Sequence, residues 1–495
     1  MKKERKSGVL MPIASLPGKY GIGTFGKESY AFVDRLSEAG QSCWQILPLG
    51  PTSYGDSPYQ SFSTFAGNPY FIDPDILVSE GLLTEKEAKA YECANTGKID
   101  YEMLYNTRFE MLKKAFGRFV PEKEKGYGRF CRQNRKWLDE YALYMAVKNT
   151  YGGASFTEWD APLRKHDKKA VDIYKEKNSA EIEFFKFLQF KFLEQWMALK
   201  KHANYRGIKI IGDIPIYVSF DSADTWAGPK LFQLDEEGFP TAVAGCPPDG
   251  FSATGQLWGN PLYDWEYHKK TGYKWWTERI RHCFLLYDIV RIDHFRGFDE
   301  YYAIPYKDPT AEFGKWRKGP GYEIFKAIKD ELGDLPMIAE DLGFLTDSVI
   351  RLVKRTGYPG MKVLQFAFDP REDSDYLPHN YEHNSVVYTG THDNDTTVGW
   401  FKKLKAADRR MALSYLGRSN LKNNRDISWA FIRLAMGSVS DLCVIPMQDW
   451  LGLDSGARIN TPSTLGGNWE WRMKEGAFSA SLAGKMRKMT RLYAR

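Results

Sequence analysis

"PMIAEDLGFLTDSVIRLVKRTGYPGMKVLQFAF", residues 336–368, decides the fold. An apolar run ends at Glu340, and Thr346 or Asp347 offers a helix cap. Apolar residues then recur at helical spacing, Gly357 stops the helix, and a second apolar run starts at Lys362. Strand, helix, strand is the unit of a parallel sheet. The strands of this unit are 336–341 and 362–367. Comparable runs lie at 8–13, 42–48, 208–213, 287–293, 385–390 and 442–446. Eight such strands predict an α/β fold, a closed (β/α)8 TIM barrel.

The spacing between them is uneven. Residues 49–207 separate the second and third strands, and "FEMLKKAFGRF" (109–119) and "EIEFFKFLQFKFLEQWMALKKH" (181–202) carry apolar residues at three- and four-residue steps. A large, mostly helical insertion over 75–200 is therefore expected within one catalytic domain, 1–495. The phenylalanines of 181–202 could line a ligand site, but plain core packing is the simpler reading. A Gly-, Pro- and aromatic-rich stretch over 220–275 reads as a loop subdomain.

Composition narrows the function. The chain has 495 residues, 43% of them hydrophobic and 15% aromatic, and a net charge of +6 from 69 basic and 63 acidic residues. The basic residues are scattered rather than gathered into a stripe, which argues against a nucleic-acid partner. Six well-separated cysteines with no CxxC suit reduced thiols. The start imitates a secretory signal, with basic residues before "GVLMPIASL", but Pro12 interrupts it and "PGKYG" follows in place of a cleavage site. No apolar run is long enough to span a membrane. The expected compartment is the cytoplasm.

Several patterns mislead. "GIGTFG" (21–26) matches a dinucleotide fingerprint, yet Glu28 stands where a P-loop needs Ser or Thr, and no acid follows at the ribose spacing. A tight glycine turn fits better. His379 and His383 have no third ligand nearby. No G-x-S-x-G elbow supports a serine triad, and no cysteine signature is present. Neither a metal nor a cofactor is expected.

The informative residues stand at strand ends. In "YDIVRIDHFRGF" (287–298), Arg291 and Asp293 share one face of a strand that should be buried. Burying charge unpaired is costly, so a partner is required. Arg291 should lower the pKa of Asp293 and keep it ionised. Asp213, Glu340 and Asp393 end three other strands, with His294 and His392 beside this set. One such acid is easily a helix cap; four on the rim where barrel enzymes work suggest chemistry. Two of them, about 5–5.5 Å apart, could hydrolyse or transfer a glycoside with retention. Mg²⁺-dependent phosphoryl chemistry also uses acidic rims and stays open at this point.

"DIPIYV" (213–218), "VRIDHFRGF" (290–298), "IAEDLG" (338–343) and "TGTHDNDT" (389–396) resemble, in order, four strand-end motifs of the α-amylase clan of glycoside hydrolases. Their spelling is similar to that of its amylomaltase branch, the 4-α-glucanotransferases or disproportionating enzymes. So are "SLPGKYGIGTFG" (15–26), "SYGDSPYQSFSTFAGNPYFID" (53–73), "PPDGFSATGQLWGNPLYDW" (247–265) and "TPSTLGGNWEWR" (461–472). The resemblance implies transfer of α-1,4-glucan segments from maltooligosaccharide, starch or glycogen to a sugar 4-OH through a covalent glucosyl-enzyme.

It also implies roles. Asp293 would be the nucleophile, Glu340 the acid and then base, and Asp393 would grip ring hydroxyls with His392 and His294. Arg291 would orient Asp293, and Asp213 would support the donor site. Asp249, Gln256, Trp258 and Asn260 would form a flap over the cleft, and Tyr54, Ser57 and Tyr59 the opposite wall. Gly250 departs from the aromatic residue common in relatives. With the eighth strand starting only about fifty residues before the last residue given, the C-terminal β-sandwich of ordinary α-amylases is not expected, as in the amylomaltase branch. A monomer or homodimer is expected, with no membrane or nucleic-acid partner.

Overall fold

A computed structural model describes residues 4–53, 55–248, 252–343 and 345–495. Twelve strands occur in it: β1 (Lys6–Leu10), β2 (Cys43–Gln45), β3 (Lys209–Pro215), β4 (Ala242–Cys246), β5 (Gln256–Pro261), β6 (Ile289–Asp293), β7 (Glu300–Pro305), β8 (Lys315–Lys318), β9 (Met337–Ala339), β10 (Gly360–Val363), β11 (Ser385–Tyr388) and β12 (Leu442–Pro446). Eight form one parallel sheet in the order β10-β11-β12-β1-β2-β3-β6-β9. Its two ends meet where Ala339 N–H donates to the Pro359 carbonyl at 3.0 Å, so the sheet curls into a nearly closed (β/α)8 barrel.

All eight expected barrel strands are present. That expected at 362–367 lies earlier, at Gly360–Val363, and Leu364–Phe366 turn into a 3-10 helix. In the deciding unit, the helix runs Asp347–Thr356 with Thr346 at its N-cap and Gly357 left-handed (φ 73°) at its C-cap. The strand expected at 8–13 also lies earlier: β1 runs Lys6–Leu10 and takes only the first three residues of "GVLMPI", buried against β12 and β2.

The second sheet was not expected. β4, β5, β7 and β8 pair antiparallel in the order β5-β4-β7-β8, placing strands in the stretch read as loop and adding 300–318 to them. β5 hid because it alternates polar or aromatic Gln256, Trp258 and Asn260 with exposed Leu257 and Gly259. That is alternation without the usual apolar face.

Between β2 and β3 the chain is largely helical, with long helices at Tyr101–Phe116, Tyr127–Thr150 and Ser179–Tyr205. The phenylalanines of the last are core: Phe187 packs 4.8 Å from Phe119, and Phe192 lies 5.2 Å from Phe25. The same helix fixes a loop of the barrel rim. Gln189 accepts from Gly67 N–H (2.7 Å) and donates to its carbonyl (2.9 Å), and Gln195 accepts from Asp73 N–H (2.7 Å). Both glutamines are 2% exposed, so they replace, in a dry interior, the pairing a strand would give.

The G-x-G-x-x-G pattern is explained locally. Gly26 precedes the helix Lys27–Glu38, and a Cβ there would lie 1.9 Å from Asp73 Oδ2. That carboxylate, which also accepts from Thr24 Oγ1 at 2.5 Å, fills the space at the helix start.

Gln189→Leu removes both bonds to Gly67 and strands a buried N–H and C=O, so it should cost about 1–3 kcal/mol for each group left unpaired. Thermal melting of the purified variant should show a lowered Tm; an unchanged Tm would mean that the loop holds itself.

Candidate active site

Charge on β6 has an explanation in its neighbours. Arg291 is 3% exposed and Asp213, opposite it in register on β3, is fully buried. Arg291 Nη1 donates to both Asp213 oxygens, at 2.7 and 2.6 Å, and Nη2 lies 2.9 Å from Asp293 Oδ1. Its Nε faces Met361 Sδ at 3.3 Å, and Tyr59 O–H donates to Asp213 Oδ2 at 2.8 Å. Each of the three nitrogens of Arg291 meets a protein group. Desolvation of the guanidinium is offset by two carboxylates, which hold its pKa well above the ordinary value.

Asp293 corrects one expectation. Arg291 does pull its pKa down, but burial, with smaller pushes from Asp213 and Asp393, outweighs that pull and leaves the carboxyl above its ordinary range. Glu340 is raised too, first by burial and then by the charge on Asp293; Arg291 and two backbone N–H groups oppose the rise. Those groups are His294 N–H to Oε2 (2.6 Å) and Leu342 N–H to Oε1 (2.9 Å). Arg291 touches Asp293, whose side chain keeps 29% exposure to the cleft. Asp293 is therefore the first of the pair to ionise, and Glu340 keeps the proton longer.

The backbone builds this arrangement. His294 adopts a left-handed conformation (φ 53°), uncommon for a non-glycine residue and costing about 1 kcal/mol or more. The turn aims its N–H at Glu340, and Phe295 N–H donates to the Glu340 carbonyl at 3.0 Å. The His294 ring stands edge-on to Trp258, with centroids 4.8 Å apart, and burial drives its pKa down to about 3. At neutral pH it is an uncharged hydrogen-bonding group.

Another wall comes from the loop after β11. His392, 3% exposed, stacks on Tyr59 at 5.1 Å and 14° and lies 6.0 Å from Trp469. Asp393 keeps 43% of its side chain exposed, with Oδ2 3.3 Å from His392 Nε2. Gln256 Oε1 accepts from Trp258 Nε1 at 3.1 Å.

Asn260, 6% exposed, donates to the Val218 carbonyl at 2.7 Å and accepts from Gln60 Nε2 at 3.3 Å, so its amide ties loops together. Ser57 Oγ accepts from Tyr59 N–H at 3.3 Å within a turn. Tyr54, Asp249 and Gly250 lie outside the described residues. Trp469 stands in the "TPSTLGGNWEWR" motif with no role implied there, and Asn460 carries no sequence signal, since its partner Asp393 lies far away in sequence. Among the described residues, no three His, Cys, Asp or Glu side chains are grouped to hold a metal ion.

A family description, 4-alpha-glucanotransferase, matches residues 11–478. The 4-alpha-glucanotransferase of Clostridium butyricum is 48% identical over 98% of this chain and 100% of its own. That of Streptococcus pneumoniae is 50% identical over 100% of this chain and 98% of its own. The structure of the amylomaltase from Streptococcus agalactiae in complex with acarbose superposes with a TM-score of 0.96 at 42% identity, covering 99% of this chain and 100% of that one.

Arg291→Met leaves Asp213 charged and buried without its partner and should destabilise the protein by about 3–5 kcal/mol. Adding Asp213→Leu should recover much of the lost Tm but none of the turnover, because Asp293 still lacks its guanidinium. Recovery of turnover in the double variant would show that Arg291 serves stability alone.

Proposed function

Because this chain belongs to the 4-alpha-glucanotransferase family, we propose that its cleft exchanges α-1,4-glucan bonds by two displacements at one anomeric carbon. In the first, an Asp293 carboxylate oxygen attacks that carbon, the glycosidic C–O bond breaks, and the proton of Glu340 passes to the leaving O4. In the second, the Glu340 carboxylate removes a proton from the 4-OH of an incoming glucan, which displaces Asp293 with overall retention. Arg291 orients Asp293 and spreads its charge, and Asp213 anchors Arg291. Asp393, with neutral His294 and the Tyr59–His392 wall, binds the distorted sugar's hydroxyls.

The observation that carries this reading is the unequal pair: a carboxylate paired to buried Arg291 beside a second carboxyl pushed up by burial and by that charge. Two acids of which one ionises before the other suit nucleophile and acid. Transfer over hydrolysis needs a sugar hydroxyl better placed than water. Trp258, Tyr59 and Gln256 form the walls that place it. The substrates are maltooligosaccharides and the chains of starch or glycogen.

The catalytic domain is taken as 1–495, with the helical insertion at 75–200 and the flap unit at 220–275. No helix among the described residues is long and apolar enough to cross a membrane; a cytoplasmic monomer or homodimer is proposed.

The test is incubation of the pure enzyme with maltotriose while product lengths and total reducing ends are followed. Glucose and longer maltooligosaccharides should appear at a flat reducing-end count. A count rising in step with product would make the protein a hydrolase. Asp293→Asn and Glu340→Gln should each lose several orders of magnitude in rate while staying folded; near-normal turnover in either would overturn the roles.

Activity needs ionised Asp293 and protonated Glu340. Since both carboxyls are raised, both limbs of the bell-shaped kcat/KM profile should fall above about pH 4, the ordinary carboxylate value. The acid limb belongs to Asp293 and the alkaline limb to Glu340. Full activity persisting well into the alkaline range would contradict the acid role.

A further inference from the structure

The loop after β12 reaches the cleft through a closed neck. Trp469 N–H donates to the Ile459 carbonyl at 2.7 Å, and Thr461 N–H donates to Asn468 Oδ1 at 2.9 Å. From that neck Asn460 Nδ2 donates to Asp393 Oδ1 at 2.6 Å, and Asn460 N–H donates to the His392 carbonyl at 3.1 Å. Arg458 spans the same two segments, with Nη2 to the Asp393 carbonyl and Nε to the Asn460 carbonyl, both at 2.6 Å. Main chain and side chain of Asp393 are thus held separately, by a guanidinium and by an amide.

These contacts differ in what they accomplish. The main-chain bond to His392 and the Arg458 bridge join the loop to 392–393 without help from a carboxylate. The Asn460 side chain is the member of this set that meets the half-exposed carboxylate itself, and at a short distance. The amide orientation follows from chemistry, because its oxygen would repel a carboxylate oxygen. With Oδ1 taken by the amide and Oδ2 beside His392, rotation about χ2 of Asp393 is restricted and the remaining lone pairs face the cleft.

We propose that Asn460 is a positioning residue for Asp393, fixing that carboxylate for the hydroxyls of the sugar undergoing transfer, with Arg458 setting the distance between the two segments. The proposal rests on the reading of Asp393 as the group that grips the donor sugar. Asn460 acts through Asp393, so its loss lowers kcat more than it raises KM: the misplaced contact matters most where the sugar is distorted.

The test compares Asn460→Ala, Asn460→Asp and Asp393→Asn with the parent for maltotriose disproportionation, each from about pH 5 to about pH 8, with melting curves as the folding control. Asn460→Ala should lose on the order of a hundredfold in kcat at every pH, the scale of a displaced catalytic group. Asn460→Asp is nearly isosteric and keeps the loop measurable should the alanine variant fail to fold. Its activity relative to the parent should rise as pH falls, because the introduced carboxyl then carries a proton and donates to Asp393 as the amide does. At alkaline pH two carboxylates face each other and the loss should be greatest.

If both Asn460 variants stay within twofold of the parent while Asp393→Asn is inactive, the positioning role is wrong and the proposed reaction stands. Equal, pH-independent losses in the two variants would mean a loop anchor only, which also overturns the proposal. Near-normal turnover in Asp393→Asn would instead remove the reading of Asp393 on which the proposal rests.

Discussion

A guanidinium held between two carboxylates is the constraint on which the rest of the site depends. Arg291 joins β6 to β3 through Asp213, and Tyr59 brings a rim loop to the same carboxylate. In a dry barrel centre none of these charges is tolerable alone, and replacing such a set with packed apolar side chains often leaves stability unchanged or improved. Its retention is understandable if it serves the third group, Asp293, on the same face of β6. Two strong contacts to Asp213 fix the guanidinium, and the contact to Asp293 then acts on a carboxylate that also meets the cleft.

The neighbouring features follow from that placement. Glu340, buried and beside the charge on Asp293, holds its proton to higher pH than an ordinary carboxyl, although two N–H groups favour its ionised form. One of those N–H groups belongs to His294, which turns left-handed directly after β6. A local cost in backbone conformation at this point links the ends of two adjacent strands, β6 and β9. The long helix Ser179–Tyr205 contributes from further away by fixing the main chain at Gly67 and Asp73, in the segment that carries Tyr59.

The barrel was legible because its strands are short apolar runs separated by helical periodicity, and because acids mark their ends. Arg291, Asp293, Glu340 and Asp393 could be singled out on that basis. The second sheet was not legible: β5 alternates glutamine, tryptophan and asparagine with leucine and glycine, and β8 is exposed along its whole length. The net pKa of Asp293 was misread because the partner charge is visible in sequence while the burial that outweighs it is not. Asn460 and the contacts of Trp469 were beyond reach, since both meet 392–393 only through the way a loop closes on itself.

The most direct measurement of the central claim is to treat Glu340→Gln with an α-glucosyl fluoride and weigh the intact protein. Fluoride leaves without a proton from an acid, so the first displacement can proceed, while the second lacks its base. The account predicts a mass increase of one glucosyl unit, located by peptide mapping to Asp293 and absent from an Asp293→Asn, Glu340→Gln double variant. No adduct, or one on another residue, would contradict it.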